Sequence, residues 1–478
     1  MVADAVGGAV VQGDPAISIV EAAFDSRHAT PGCLFFCVPG ATVDGHGFAA
    51  AAASAGAAAL VVDRWLPEID RPQVLVSSVR KAMGPMAAAI FGHPSDAMTV
   101  VGITGTNGKT TVTYLLESVF RAAGRRPGIV GTTGARVDGE PVLLEHTTPE
   151  APDLQRLLAG MVAAGVEAVA MEVSSHALDQ FRVDGVRFDV AAFTNLSQDH
   201  LDYHPSMEAY FAAKARLFTP PLARRGVVNA DDAWGRRLLL DPSIPLTSYA
   251  VTAEADLRAE DVLVDATGIG FRAGSVSLRS PMRGSFNVTN ALAAMAVAGA
   301  VGIDADTAAR GLEAVSHVAG RMEPVEAGQN FLVVVDYAHT PDSILSVLQA
   351  ARPLTTGRII VVFGCGGDRD RAKRPLMGRV AVSNADLAII TDDNPRSEDP
   401  RSIIAAVEAG AREAGGAYVI EPDRRRAIAL AVNEAAEGDV VVIAGKGHET
   451  YQVFADRTVE HDDRTVARDA IEAREGLS

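Results

Sequence analysis

The stretch Val100-Val101-Gly102-Ile103-Thr104-Gly105-Thr106-Asn107-Gly108-Lys109-Thr110-Thr111 constrains this chain more than any other. An apolar run that breaks into glycines and ends on a lysine and two threonines reads as strand, phosphate-binding loop and helix start. Glycines let backbone N–H groups turn toward a polyphosphate. Lys109 supplies a mobile cation for the terminal phosphates, and the hydroxyl of Thr110 can join the shell of a Mg²⁺. Val112, Leu115, Leu116, Val119 and Phe120 then repeat at the spacing of one buried helical face, and Gly124 fits its stop. The general loop pattern wants a glycine where this chain has Ile103, with glycines at Gly102 and Gly105 instead, so the loop is a variant.

With 478 residues the chain has room for about three domains. Residues 1–97 mix short apolar runs, such as Cys33–Val38 and Ala59–Val62, with turns, and read as a small α/β domain. Residues 98–319 alternate strands (Val166–Val173, Phe188–Thr194, Gly226–Asn229) with helices, which predicts a mostly parallel, doubly wound sheet around the loop. From residue 320 to 478 the alternation repeats, with strands at Phe331–Val335, Ile359–Phe363, Leu387–Thr391 and Val440–Ala444. A net charge of −17 argues against a nucleic-acid partner. Cys33, Cys37 and Cys365 are too few for a disulfide framework or a four-ligand zinc site, so a reducing cytoplasm is expected. No leader or membrane-length apolar span is read.

Ligands of parallel sheets gather at the carboxyl ends of strands. Here those ends are polar. Glu172, in Met171-Glu172-Val173-Ser174-Ser175-His176, and His200, in Asp199-His200, fit Mg²⁺ ligands beside the loop. The bland reading is that both are hydrogen-bonding strand ends. Lys214 sits in an apolar helical run, where exposure is the ordinary outcome. Asn287 and Asn290 lie on adjacent turns, suited to reading a base or to capping. The last part carries four more polar ends, Asp336-Tyr337-Ala338-His339, Gly364 to Arg371, Asp392 to Arg396 and Gly445-Lys446-Gly447-His448-Glu449, which together read as a site.

In this order of motifs, from the Gly105 to Thr111 loop through Glu172, Asp199-His200, Asn287 to Asn290 and Gly320-Arg321-Met322-Glu323 to Asp336-Tyr337-Ala338-His339, the chain resembles the Mur ligase family, ATP-dependent amide ligases of cell-wall precursor synthesis. The resemblance implies a substrate-binding first domain, a central ATPase and a Rossmann-like third domain carrying the incoming amino acid. Gly105, Thr106, Asn107, Gly108, Lys109, Thr110, Thr111, Asn287, Asn290, Arg321 and Asp336 would bind ATP. Thr110, Glu172, His200 and a carbamylated Lys214 would hold Mg²⁺, with Lys109, Glu172, His200 and Lys214 serving catalysis. Phe24, Ser26, Ala41, Thr42, Val43, Thr147, Thr148, Ser174, Gln180 and Arg182 would bind a UDP-N-acetylmuramoyl dipeptide. Arg369, Asp393, Asn394, Pro395, Arg396, Gly445 and Glu449 would bind 2,6-diaminopimelate, with L-lysine the competing amine. His146 stands where many relatives carry asparagine. A monomer is expected.

Overall fold

The computed structural model describes residues 2–7, 9–40, 43–265 and 267–476. Among these residues, three sheets with helices on their faces account for nearly all the regular structure. The first sheet is built on Glu21–Ala23, Cys33–Phe36, Ala59–Val62 and Gln73–Leu75, which pair in parallel, with Val10–Gln12 antiparallel on its edge. Cys33 and Cys37 are fully buried free thiols of this unit.

The central sheet has 11 strands. Thr99–Thr104, which feeds the phosphate loop, lies at its middle, between Ala168–Glu172 and Phe188–Phe193 and parallel to both. This register brings Gly105, Val173 and Thr194 to one edge of the sheet. The helix Lys109–Ala122 follows, and it buries Val112, Leu115, Leu116, Val119 and Phe120 as their spacing predicts. Each such side chain removed from water contributes about 1.5–3 kcal/mol, so this face fixes the loop against the sheet. Gly124 takes positive φ just past the helix end. Ile103 is completely buried in the strand. The turn therefore begins at Gly105, and the glycine missing from the general pattern falls in strand interior where an apolar residue belongs.

Two departures from the sequence reading lie at the edges of this sheet. The parallel core is extended by antiparallel hairpins, Gly134–Val137 with Glu140–Val142 on one side and Gly268–Ala273 with Val276–Ser280 on the other. Their alternation is weak, and pairing with an existing edge, rather than local pattern, decides them.

The third sheet runs in the order Glu323–Pro324, Leu332–Asp336, Val440–Ala444, Ile359–Phe363, Leu387–Ile390, Tyr418–Ile420, all parallel except the first. Both of its faces are apolar and covered by helices, as a parallel sheet demands. The strands ending at Asp336, Phe363, Ile390 and Ala444 put their following loops on one edge, facing the central sheet.

Candidate active site

Backbone geometry builds the phosphate loop first. Gly105 has φ +147°, and a Cβ there would stand 1.9 Å from Thr194 Oγ1, so only glycine fits. The neighbouring strand end clamps the loop: Thr194 Oγ1 donates to Asn107 O at 2.6 Å, and Asn107 N donates to Asn195 Oδ1 at 2.9 Å. Lys109 Nζ folds back on the carbonyls of Gly105 and Thr106 at 3.0 and 2.8 Å. Burial pushes its pKa below the ordinary lysine value. The ammonium is held ready at the helix start, where the first free N–H groups also converge.

Beside the loop lie oxygen and imidazole donors. Glu172 is buried and accepts from Thr110 Oγ1 at 2.9 Å and from Thr132 N and Oγ1 at 2.9 and 3.1 Å. His200 takes a left-handed backbone (φ 55°), which turns its ring into the cleft with Nε2 3.4 Å from Asp199 Oδ2. Desolvation pushes the imidazole down, against the pull of Asp199, so it stays neutral with a lone pair to offer. Lys214 is not exposed: it is 1 % accessible, donates to Gly105 O at 2.7 Å and lies 4.6 Å from the centre of the Tyr210 ring. Burial first, then the charge of Lys109, lowers its pKa well below the usual value. A buried amine without a paired carboxylate is a nucleophile in waiting. Among the described residues no three His, Cys, Asp or Glu side chains form a ready-made metal cage.

The loop opens into a cavity of about 540 Å³ lined from both the central and the third sheets. Thr106 to Thr111, Glu172, His200, Asn290, Thr147 and Ser174 face Arg321, Asp336, Tyr337 and His339 across it. Two hydrogen bonds bridge the walls: Arg321 Nη2 to Thr110 Oγ1 and Asn107 Nδ2 to Asp342 Oδ2, each 3.0 Å. Asp336 is tied to its own loop, accepting from Met322 N and Ala338 N at 2.8 Å, and burial raises its pKa. Asn287 donates its amide to Arg283 O and accepts from Asn290 at its Oδ1, so it braces Asn290, which lines the cavity.

Of the dipeptide-binding set, Thr147 meets Thr132 at 3.1 Å, and Thr148 Oγ1 links Glu172 O to Ser174 N. Arg182 holds Gln180, the Thr148 carbonyl and, at 3.1 Å, Glu150. These five residues thus form one unit at the rim of the cavity. His146 beside them is exposed. Phe24, Ser26 and Val43 belong to the first sheet's loops and do not line the cavity; Ala41 and Thr42 lie outside the described residues.

The diaminopimelate set gathers at the carboxyl edge of the third sheet. Arg396, with φ 53°, donates to Gly367 O at 2.7 Å, and its Nη1 and the Cγ of Arg369 both flank the Cβ direction of Gly366. Asn394 donates to Glu449 Oε2 at 2.9 Å. A Cβ on Gly445 would lie 3.7 Å from the Asp393 carboxylate. Arg396 and the stem of Arg369 thus meet at Gly366, while Asn394, Glu449 and Asp393 gather beside Gly445 on the same edge, so both signs of charge are present for a zwitterion.

Comparison with known proteins gives the chain its kinship. Over 474 residues, 97% of this chain and 96% of the relative, it is 48% identical to a UDP-N-acetylmuramoyl-L-alanyl-D-glutamate–2,6-diaminopimelate ligase of Geobacillus thermodenitrificans. The chain belongs to the Mur ligase family. The Mur ligase family catalytic domain matches residues 19–91, the Mur ligase middle domain 103–298, and the Mur ligase glutamate ligase domain 320–447. A diaminopimelate ligase of Streptomyces coelicolor is 46% identical over 99% of this chain and 96% of its own length. The solved structure of a diaminopimelate ligase superposes with TM-score 0.69 at 35% identity, covering 96% of this chain and 95% of that one. MurF ligase from Thermotoga maritima in complex with ADP shares the fold alone, with TM-score 0.64 at 16% identity over 98% of this chain and 100% of that one.

Within this Mur ligase, Thr132, Thr194 and Asn195 were given no role in the sequence reading, and Lys446, read within the Gly445 to Glu449 strand end, was given none of its own. Thr132 gives Glu172 two hydrogen bonds, and Thr194 with Asn195 clamps the loop. Lys446, fully buried, donates to Asn394 Oδ1 at 3.0 Å. The signal available for each was its place just after a strand.

Proposed function

We propose that this ligase joins meso-2,6-diaminopimelate to the D-glutamyl carboxylate of UDP-N-acetylmuramoyl-L-alanyl-D-glutamate, using ATP and an acyl phosphate, in peptidoglycan precursor synthesis. The observation that carries the reading is a phosphate loop in the cavity between the central and third sheets together with a separate cluster of carboxylates, amide and ammonium at the carboxyl ends of the third sheet's strands. A switch or kinase needs only the first. L-lysine is the less favoured amine, since it offers nothing to a second guanidinium group.

A carboxylate resists attack by an amine. One carboxylate oxygen therefore attacks the γ-phosphorus of ATP, the bond to ADP breaks, and the resulting acyl phosphate has a good leaving group. The neutral amine then attacks the acyl carbon, phosphate departs with the bonding electrons, and the amine's proton passes to solvent or base. Lys109 and the loop N–H groups hold the phosphates in line and spread their charge. Thr110, Glu172, neutral His200 and Lys214 as its carbamate would hold Mg²⁺; a hydroxyl and carboxylates suit that hard cation, with imidazole the rarer donor. When bound, Mg²⁺ neutralises charge on the transferring phosphoryl group. Lys214 fits the role because its buried, unpaired amine gains a partner by adding CO₂. Arg321 and Asn107 close the cleft from opposite sides and exclude water from the acyl phosphate.

We assign residues 1–97 to the uridine end of the substrate, 98–319 to ATP and 320–478 to the amine, in a monomeric cytoplasmic enzyme. No helix among the described residues is long and apolar enough to cross a membrane. The test is phosphate release from ATP with the UDP-muramoyl dipeptide and a panel of amines. Release is expected only with dipeptide and diaminopimelate together; brisk turnover with neither, or equal turnover with lysine, overturns the reading.

A further inference from the structure

The edge that would take the amine contains more buried charge than the residues assigned to it. Arg424 and Asp463 are both fully buried and paired by hydrogen bonds of 2.8 and 2.7 Å. Arg424 also donates to Ala444 O at 3.0 Å and Asp392 O at 3.4 Å, the last carbonyls before the two loops of the site. This pair is neutral as a unit and lies beside Gly445. The next residue, Lys446, is fully buried, with Nζ 3.3 Å from Glu449 Oε2 and 3.5 Å from Asp393 Oδ1. Asn394 ties the two sides, accepting from Lys446 at 3.0 Å and donating to Glu449 at 2.9 Å. The Asp393 Oδ1 atom is buried without a hydrogen-bond partner.

Two carboxylates and one ammonium leave a single negative charge. The two carboxylates share that one ammonium, and Asp393 Oδ1, 3.5 Å from Lys446 Nζ, receives no hydrogen bond, which leaves room there for a further donor. We propose that Lys446 is a positioning and specificity-determining residue: it fixes Glu449 and Asn394 and cancels one carboxylate, so that the site accepts one ammonium of the amine substrate and no more. The inference rests on the reading of this edge as the amine site. Without Lys446 two adjacent carboxylates would repel each other, and Glu449 would lose the ammonium 3.3 Å away that holds it in place.

The test is a double-mutant cycle on the full-length protein, reading KM for diaminopimelate and for ATP. Lys446→Met should raise KM for diaminopimelate at least about 30-fold, the effect of leaving a desolvated charge unpaired, with KM for ATP moving less than about threefold. Glu449→Gln should weaken diaminopimelate binding in the wild-type background, where it leaves the Lys446 cluster with only Asp393 to balance the ammonium. In the Lys446→Met background the same change should strengthen binding, because it restores a single negative charge. A KM for Lys446→Met within threefold of wild type, or Glu449→Gln weakening binding in both backgrounds, overturns the proposal. Should Lys446→Met alone not fold, a double variant that folds and binds no worse than Glu449→Gln supports charge balance, and one that also fails to fold overturns it. A wild type that makes no amide from diaminopimelate removes the functional reading itself. That result is distinct from a competent wild type matched by its Lys446→Met variant.

Discussion

Replacing Lys214 by methionine should make the protein more stable and the enzyme inactive. The Lys214 amine is buried with one hydrogen bond, to Gly105 O, and that carbonyl also accepts from Lys109 at 3.0 Å. Methionine keeps the length of the stem over Tyr210 and leaves the Gly105 carbonyl satisfied. What disappears is a buried polar group whose remaining donors have no partner, a cost of about 1–3 kcal/mol. Allowing for imperfect packing of the thioether, a gain of about 1–2 kcal/mol should raise the melting midpoint by roughly 2–8 °C in degassed, metal-free buffer, where the lysine is a free amine. The pH dependence has a definite sign. The folded protein holds Lys214 below its ordinary value of 10.5, so the unfolded chain binds more protons in the window between the two values. Wild-type stability therefore rises with pH through that window, and the advantage of Lys214→Met shrinks toward pH 10.5. Ligase turnover should fall at least about 100-fold, the scale of losing a charged group in a phosphoryl-transfer site, with partial recovery on adding short carboxylic acids. Thermal melting across pH and coupled phosphate release are the assays. A variant that melts lower at neutral pH, a gap that does not narrow, or turnover within tenfold of wild type would refute the reasoning.

Two further outcomes follow from the geometry. Gly105→Ala puts a Cβ 1.9 Å from Thr194 Oγ1 at φ +147°, so it should cost about 1–3 kcal/mol in strain and weaken ADP binding at least tenfold by calorimetry; unchanged ADP affinity would contradict the loop's role. Arg396→Ala should raise KM for diaminopimelate by about 30-fold or more while leaving KM for ATP nearly fixed, and a variant that keeps its preference over lysine would move the specificity elsewhere.

Much of the site was legible because it depends on spacing along the chain. The helix Lys109–Ala122 buries the face its apolar residues define, and Ile359–Phe363 and Val440–Ala444 are strands at the bounds their apolar runs suggest. Strand direction then follows from helices alternating with strands, and the parallel sheet carries its polar strand ends to one edge. Glu172, His200 and the loop meet for that reason. The hairpins at the sheet's edges were not legible, since Gly134–Val137 and Gly268–Ala273 acquire their identity from a neighbour far along the chain. Nor was the bracing of Asn290 by Asn287, because two asparagines one turn apart can equally face a ligand or each other.

The lysines show most clearly where sequence reasoning stops. Lys109, Lys214 and Lys446 all lie near the site, and the last two are almost equally inaccessible, at 1 % and 0 %. Their chemistry differs because of what the fold sets beside them. Lys214 has an aromatic ring, a carbonyl and a second lysine around it, so burial drives it toward the neutral amine. Lys446 has two carboxylates and an amide oxygen within 3.5 Å and is held in an ion-paired cluster. Those carboxylates arrive from a different strand end and from one turn further along the same loop, at Asp393 and Glu449. A residue's local sequence sets its reach, but the strand order of the sheet decides whether that reach ends on an acid, and hence whether the lysine serves as a nucleophile toward CO₂ or as a fixed charge.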